Sequence, residues 1–258
     1  MVELGNSLDI WYFTATGIQR LSAWKLHTYY ILVTFSFLYL LYRYRSQYYS
    51  KYIILMFFYG LMSYLGKDIQ DYYKTALTIL TIYWFIEADA IRVLNELPFL
   101  AISFILFSFS FFYTAYLNSD YLLITLSQYS RYLIVFLVFL ILYKNRNLES
   151  FKSNLESMLF SILLIQISLS IAKYLIMGNV ESIVGSINAQ SGATATSLPI
   201  LGFMFLWLRK NGLFAPKDWL FIIGLAFIGF VSLKRAIWFI LPIVIFLFNF
   251  YIPKKKYR

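Results

Sequence analysis

Between its polar breaks the chain falls into about nine apolar runs, at 27–42, 52–65, 75–85, 97–117, 122–143, 158–177, 194–208, 219–232 and 236–251. Several approach or reach the roughly 20 residues that cross about 30 Å of hydrocarbon as a helix. The second and third are short, which predicts tilted, neighbour-buried or partly interfacial helices. Between Leu8 and Trp24 the spacing of Ile10, Trp11, Phe13, Ile18, Leu21 and Trp24 predicts a helix lying in the membrane interface. The expected fold class is therefore all-α, a polytopic integral membrane protein with about 8–10 transmembrane helices. One helical domain spans 1–258, with an interfacial segment at 1–26, about nine spans over 27–251 and a basic tail at 252–258.

Composition agrees with that class. The 258 residues are 61% hydrophobic, 21% aromatic and only 13% charged, and a soluble fold of this size needs more charge to cover its surface. Cysteine is absent and His27 is the sole histidine, which excludes disulfides, thiolate nucleophiles and His-pair metal sites. No metal or cofactor is expected. The first residues lack a basic start, a short apolar core and a small-residue cleavage site, so insertion is expected from the spans themselves.

The formal net charge of +10 would suggest nucleic acid in a soluble chain; here the positive-inside rule explains it and no nucleic acid is expected. The basic clusters RYRSQYYSK, YKNRN, LRKNGLFAPK and PKKKYR fall in the cytoplasm together, which makes the C-terminus cytoplasmic. LNSDY and GNVESIVGSINAQSGATAT then lie outside. EADAIRVLNE is assigned inside despite carrying more acid than base. Asp89 and Arg92 there have helix-pair spacing and read, with Glu87, as structural.

On this map Lys234 and Arg235 are an anomaly, a basic pair on the outer side at the start of the last span. The helix dipole already contributes positive potential there, so an anionic partner is expected. Ser191, Gly192, Thr194, Thr196 and Ser197 precede or open the seventh span, and a helix start of that composition suits an anion. Arg131 falls within the fifth span and Lys173 near the outer end of the sixth. An arginine in a span normally faces a partner or a wet cavity, because its cost at a helix centre is at least about 2.5 kcal/mol. These positions predict an outward-facing cationic cavity for a phosphate or pyrophosphate. Ser232, Arg235, Trp238 and Phe239 share one side of the last helix, read as a packing face. Against this stand plainer readings: Lys234 and Lys173 snorkelling to headgroups, Arg131 paired with Asp120 or a backbone carbonyl, and INAQSGATATS as a loop and helix cap.

The small-polar outer loop GSINAQSGATATSLPILGFMFLWL, the basic turn after it, the span FIGFVSLKRAIWFILPIVIFLF and the basic tail together resemble the O-antigen ligase and O-antigen polymerase superfamily. The likeness is strongest over about 182–251, where SLKRAIW is similar to that family's Ser-x-Arg-small-aromatic signature. The resemblance implies the helical fold of metal-independent membrane glycosyltransferases in the bacterial inner membrane. It also implies glycan transfer or polymerisation from an undecaprenyl-pyrophosphate carrier on the periplasmic face, with a repeat-unit chain or lipid A core as acceptor. By position it makes Arg235 the motif arginine and Arg131 a candidate second one, both catalytic. Lys234, Lys173, Ser232, Ser191 and Thr194 become substrate-binding candidates. Preorganised guanidinium groups would stabilise the charge developing on the pyrophosphate leaving group.

The chain departs from that pattern where Lys234 replaces a small or polar residue and where it stops at Arg258, before the large periplasmic loop and further spans usual in the family. A shortened relative, a fragment, or a half that needs a partner membrane subunit are the corresponding expectations. The alternative to an enzyme is a non-catalytic component that binds or translocates the lipid-pyrophosphate glycan. A third reading is a scaffold whose cations only anchor it to membrane lipids.

Overall fold

The computed structural model describes residues 11–14, 17–20, 23–58, 61, 67–117, 122–178, 185–186, 193–210, 214–231 and 235–250. Nine helices of eight or more residues account for most of these: α1 (Ala23–Arg43), α2 (Ser50–Phe57), α3 (Lys67–Glu87), α4 (Pro98–Leu117), α5 (Leu122–Lys144), α6 (Glu149–Met177), α7 (Ala193–Lys210), α8 (Pro216–Val231) and α9 (Arg235–Phe250). Each overlaps one predicted run. Within the short second run α2 is followed by a turn at Phe58 and a helical Leu61, whereas the third run lengthens into the 21 residues of α3.

The N-terminal segment departs from expectation. Instead of an interfacial helix, β1 (Trp11–Thr14) pairs antiparallel with β2 (Gly17–Arg20), Trp11 opposite Arg20 and Thr14 opposite Gly17, and helix begins at Ala23. The physical reason lies in the residues: Trp, Tyr, Phe and Thr in succession favour extended backbone, and a glycine directly after a two-residue connection suits a hairpin.

Two apolar cores share α6 as a common wall. On one side Tyr29, Val33 and Leu40 of α1 meet Tyr52 and Ile54 of α2, Trp84 of α3, Leu140 and Ile141 of α5, and Met158 and Ile162 of α6. On the other, Leu163 and Ile167 of α6 pack with Phe203 and Leu206 of α7, Leu225 and Ile228 of α8, and Leu241 of α9. α8 comes so close to α6 that a Cβ on Gly224 would stand 2.7 Å from Ile167 Cγ2; a small residue there sets the helix spacing. α4 is peripheral, held on α5 by the Phe104–Phe136 ring stack (3.8 Å between centroids) and by Ser108 Oγ against the Tyr129 hydroxyl at 2.7 Å.

By length and hydropathy α4 and α6 could each cross a membrane. Only 6% of the apolar window of α4 is buried, and Phe99, Phe109 and Tyr116 are 86%, 72% and 80% exposed. A helix apolar all round and covered on one side only leaves a large apolar surface bare among the described residues.

One end of the bundle gathers three connections. Arg146 Nη2, after α5, meets Glu96 Oε2 at 3.2 Å, bringing YKNRN to EADAIRVLNE. The hydroxyl of Tyr44, just past α1, donates to the Ser157 carbonyl at 3.2 Å and bonds Ser161 Oγ at 2.6 Å. The Tyr49 ring meets Phe151 near the start of α6 at a tilt, with centroids 4.7 Å apart. The charge map had assigned these three connections to one side. Asp89, whose φ is +48°, holds Arg92 Nε at 2.7 Å, while Tyr52 donates to Glu87 at 3.3 Å. These acids thus take structural partners.

Candidate functional site: a buried polar strip on α6

The middle and late turns of α6 interrupt their apolar run with Gln166, Ser170 and Lys173. The spacing of four and then three residues places all three on one face of a helix. All three are fully buried. An amide, a hydroxyl and an ammonium cannot be held in apolar surroundings without partners or a ligand, so the helix acquires a polar stripe that its neighbours must satisfy.

Part of the satisfaction comes from the segment that follows α6. The turn at Gly185–Ser186 is joined to Gln166 by a reciprocal pair of hydrogen bonds: the amide Nε2 donates to Ser186 Oγ at 2.7 Å, and the Ser186 backbone N–H donates to Oε1 at 2.8 Å. The Ser186 hydroxyl in turn donates to the Phe57 carbonyl at the end of α2, at 3.2 Å. Ser170 Oγ donates back to the Gln166 carbonyl at 2.7 Å.

Gly185 is required at this turn. Its φ is +58°, and a Cβ there would lie 2.2 Å from Gln166 Oε1 and 2.9 Å from the Gln166 carbonyl oxygen. Eleven residues separate Gln166 from the end of α6, roughly 16 Å along the helix axis. Gly185 and Ser186 are therefore placed well back along α6, and both are buried there.

Lys173 lies one to two turns further along. Its Nζ is 5.6 Å from the centroid of the Tyr29 ring on α1, within cation–π range, and Tyr29 meets Tyr30 edge-on at 5.3 Å. The strip thus runs from an amide clasped by a turn to a cation beside an aromatic face. The Gln166 amide and the Ser170 hydroxyl are engaged within the protein.

The other sequence-predicted residues are distributed differently. Arg131 is on α5 but exposed, on the face that carries Val135 and next to Tyr132. It is therefore turned to the outside of the bundle, while Lys173 is in its interior. Arg235 is the first residue of α9 and Thr194 stands in the first turn of α7; their side chains lie outside the described residues, as do Lys234, Ser232 and Ser191.

The face of α9 one turn beyond Arg235 is not the packing face expected of it. Phe239 is 72% exposed, because α9 docks through Leu241, Val244 and Ile245 instead. Sequence reasoning also missed Gln166 and Ser186. The signal available was the repeat Gln166, Ser170, Lys173 on one helical face within an otherwise apolar run.

Among the described residues there is no group of three or more metal-ligating side chains. Comparison of the chain with protein-family models, with curated proteins and with solved structures finds no match.

Proposed function

We propose that the chain is a multi-pass protein of the bacterial cytoplasmic membrane that works on an undecaprenyl-pyrophosphate-linked oligosaccharide at the outer face, transferring or polymerising glycan during surface polysaccharide assembly. The observation that carries the reading is the polar strip of α6 closed by the Gly185–Ser186 turn. With α6 across a hydrocarbon core of about 30 Å, Gln166 sits near mid-depth. Irregular backbone at that depth is tolerated only inside protein or beside a wet cavity, and it commonly builds the substrate site.

Charge supports the same reading. Lys173 is one turn from the outer end of α6, and the resemblance over 182–251 adds Arg235 at the opening of the last span. In the transfer, an acceptor hydroxyl oxygen bonds the anomeric carbon as the bond to pyrophosphate breaks, and the hydroxyl proton passes to the released pyrophosphate by way of solvent. The departing pyrophosphate takes the electron pair and gains negative charge, which cations fixed in a water-poor site stabilise most. The exposed apolar surface of α4 and the Phe239 face of α9 suit contact with acyl or polyprenyl chains.

A second reading is favoured by one observation. Arg131 is exposed on the outside of α5 beside Tyr132 and Val135, where an arginine in a span calls for a partner. The chain would then be a non-catalytic subunit docked on another membrane protein through that face.

The two readings separate in cells that depend on this chain for surface polysaccharide. The enzyme reading expects Arg235→Ala to abolish glycan extension while the protein still inserts, and Arg131→Ala to leave it largely intact. Loss of extension only in Arg131→Ala, together with loss of a co-purifying membrane protein, supports the subunit reading.

A further inference from the structure

A groove of about 460 Å³ opens between the end of α7, the start of α8 and the middle of α6. Its floor and walls include Phe160, Leu164 and Phe221; its rim carries Arg209, Lys210 and Asp218. Local sequence explains why the rim is rigid. Pro216 opens α8, and Asp218 reaches back so that Oδ2 accepts from the Ala215 N–H at 2.8 Å, which fixes the helix start. The other carboxylate oxygen faces Lys210 Nζ at 3.5 Å, and Asp218 is only 5% exposed.

The charges do not cancel. Lys210 and Asp218 offset one another, and Arg209 adds one positive charge at the mouth. Its guanidinium lies 4.3 Å from the Phe160 ring centroid. Among the described residues no carboxylate pairs with it, and its fork of N–H donors is suited to bidentate contact with phosphate oxygens.

Position identifies what fits. Phe160 adjoins Ser161, which bonds Tyr44 at the end of the bundle that gathers the basic connections. Trp219, half exposed beside the groove and packed edge-on against Phe214 at 5.9 Å, is an aromatic of the kind that settles at headgroup level. Leu220 on the groove wall is 73% exposed, so the apolar part of the groove is open at the protein's surface.

We propose that this groove binds one anionic phospholipid, its phosphate on Arg209 and the first carbons of its acyl chains on Phe160, Leu164 and Phe221. Among the described lining residues the net charge is one positive, which matches a phosphodiester without a compensating ammonium, and the apolar floor separates a lipid from a free phosphate. This site is distinct from the polar strip of α6. It rests on membrane residence alone and needs nothing of the glycan chemistry.

The test begins with carbonate extraction of membranes, which checks membrane residence separately. The purified full chain in mild detergent is then offered phosphatidylglycerol, phosphatidylcholine and glycerol 1-phosphate at equal concentration, and retained ligand is read by native mass spectrometry. The parent is expected to retain phosphatidylglycerol at least fivefold over phosphatidylcholine and no glycerol phosphate. Arg209→Gln should erase the preference, and Leu164→Trp, a change at a half-exposed wall, should reduce retention of both lipids. A parent indifferent to headgroup, one that retains glycerol phosphate as well, a preference that survives Arg209→Gln, or retention unchanged by Leu164→Trp overturns the proposal.

Discussion

The closest structural requirement in the chain is the glycine at 185, and its replacement by alanine has a cost that can be worked out. A non-glycine residue at φ +58° loses roughly 1–2 kcal/mol to left-handed backbone strain. The added Cβ meets the Gln166 side-chain oxygen and, at 2.9 Å, the Gln166 backbone carbonyl. The side chain can swing away but the helix backbone cannot, so the turn must lift. Lifting it breaks the Gln166–Ser186 pair of hydrogen bonds, leaving a buried amide unsatisfied for about 1–3 kcal/mol more. The sum is about 2–5 kcal/mol.

Gly178 provides the internal control. Its φ of +81° and ψ of −160° are a backbone region kept almost wholly to glycine, yet a Cβ there would meet nothing within 4 Å, so Gly178→Ala should cost the strain alone, about 1–3 kcal/mol. Reversible unfolding of both variants in mixed SDS micelles, followed by circular dichroism, measures the difference. Gly185→Ala should be the more damaging by at least about 1 kcal/mol. Equal losses would refute the account of the turn as clasped to α6.

Other expectations are more local. Gly224→Ala drives a methyl against Ile167 Cγ2 at 2.7 Å and should cost about 1–3 kcal/mol; combining it with Ile167→Ala should recover part of that loss, and simple additivity would count against the close α6–α8 packing. The exposed Arg146–Glu96 ion pair should show a coupling of no more than about 1 kcal/mol in a double-mutant cycle, and a larger value would mean that the contact between these connections is misjudged. The chain has no cysteine of its own, so Arg92→Cys and Arg146→Cys can be labelled singly with an impermeant maleimide in inverted vesicles. Both should react from the cytoplasmic side, and labelling from opposite sides would undo the shared end of the bundle.

Helix existence was legible from hydropathy because a polar break is required wherever a chain leaves an apolar environment. The limits of α2 and α3 were not, since the tyrosine-rich run before Gly60 reads the same whether its end is helix or turn. At Trp11–Arg20 the apolar spacing suggested helical period, but aromatic and β-branched residues prefer extended backbone and Gly17 permits the hairpin. Lys173 stands out in the sequence as a cation near the outer end of a span, open to snorkelling; that it is buried is legible only in the structure.

Its companions escaped notice because an uncharged glutamine or serine raises no electrostatic alarm in a sequence. The bonds that define their role join residues twenty apart. Arg131 illustrates the converse: charge within a span signals a partner, but only packing reveals whether the side chain looks inward or outward.

The central claim is that the polar strip of α6 receives a lipid-linked pyrophosphate glycan, and it is tested most directly by equilibrium binding to the protein reconstituted in nanodiscs. The ligand is an undecaprenyl-pyrophosphate oligosaccharide, measured against the parent, Lys173→Met and Arg235→Gln at two salt concentrations. Saturable binding that falls at least tenfold in each variant, with helicity preserved, is the predicted result. Absence of saturable binding to the folded parent, or binding indifferent to both substitutions, contradicts the assignment.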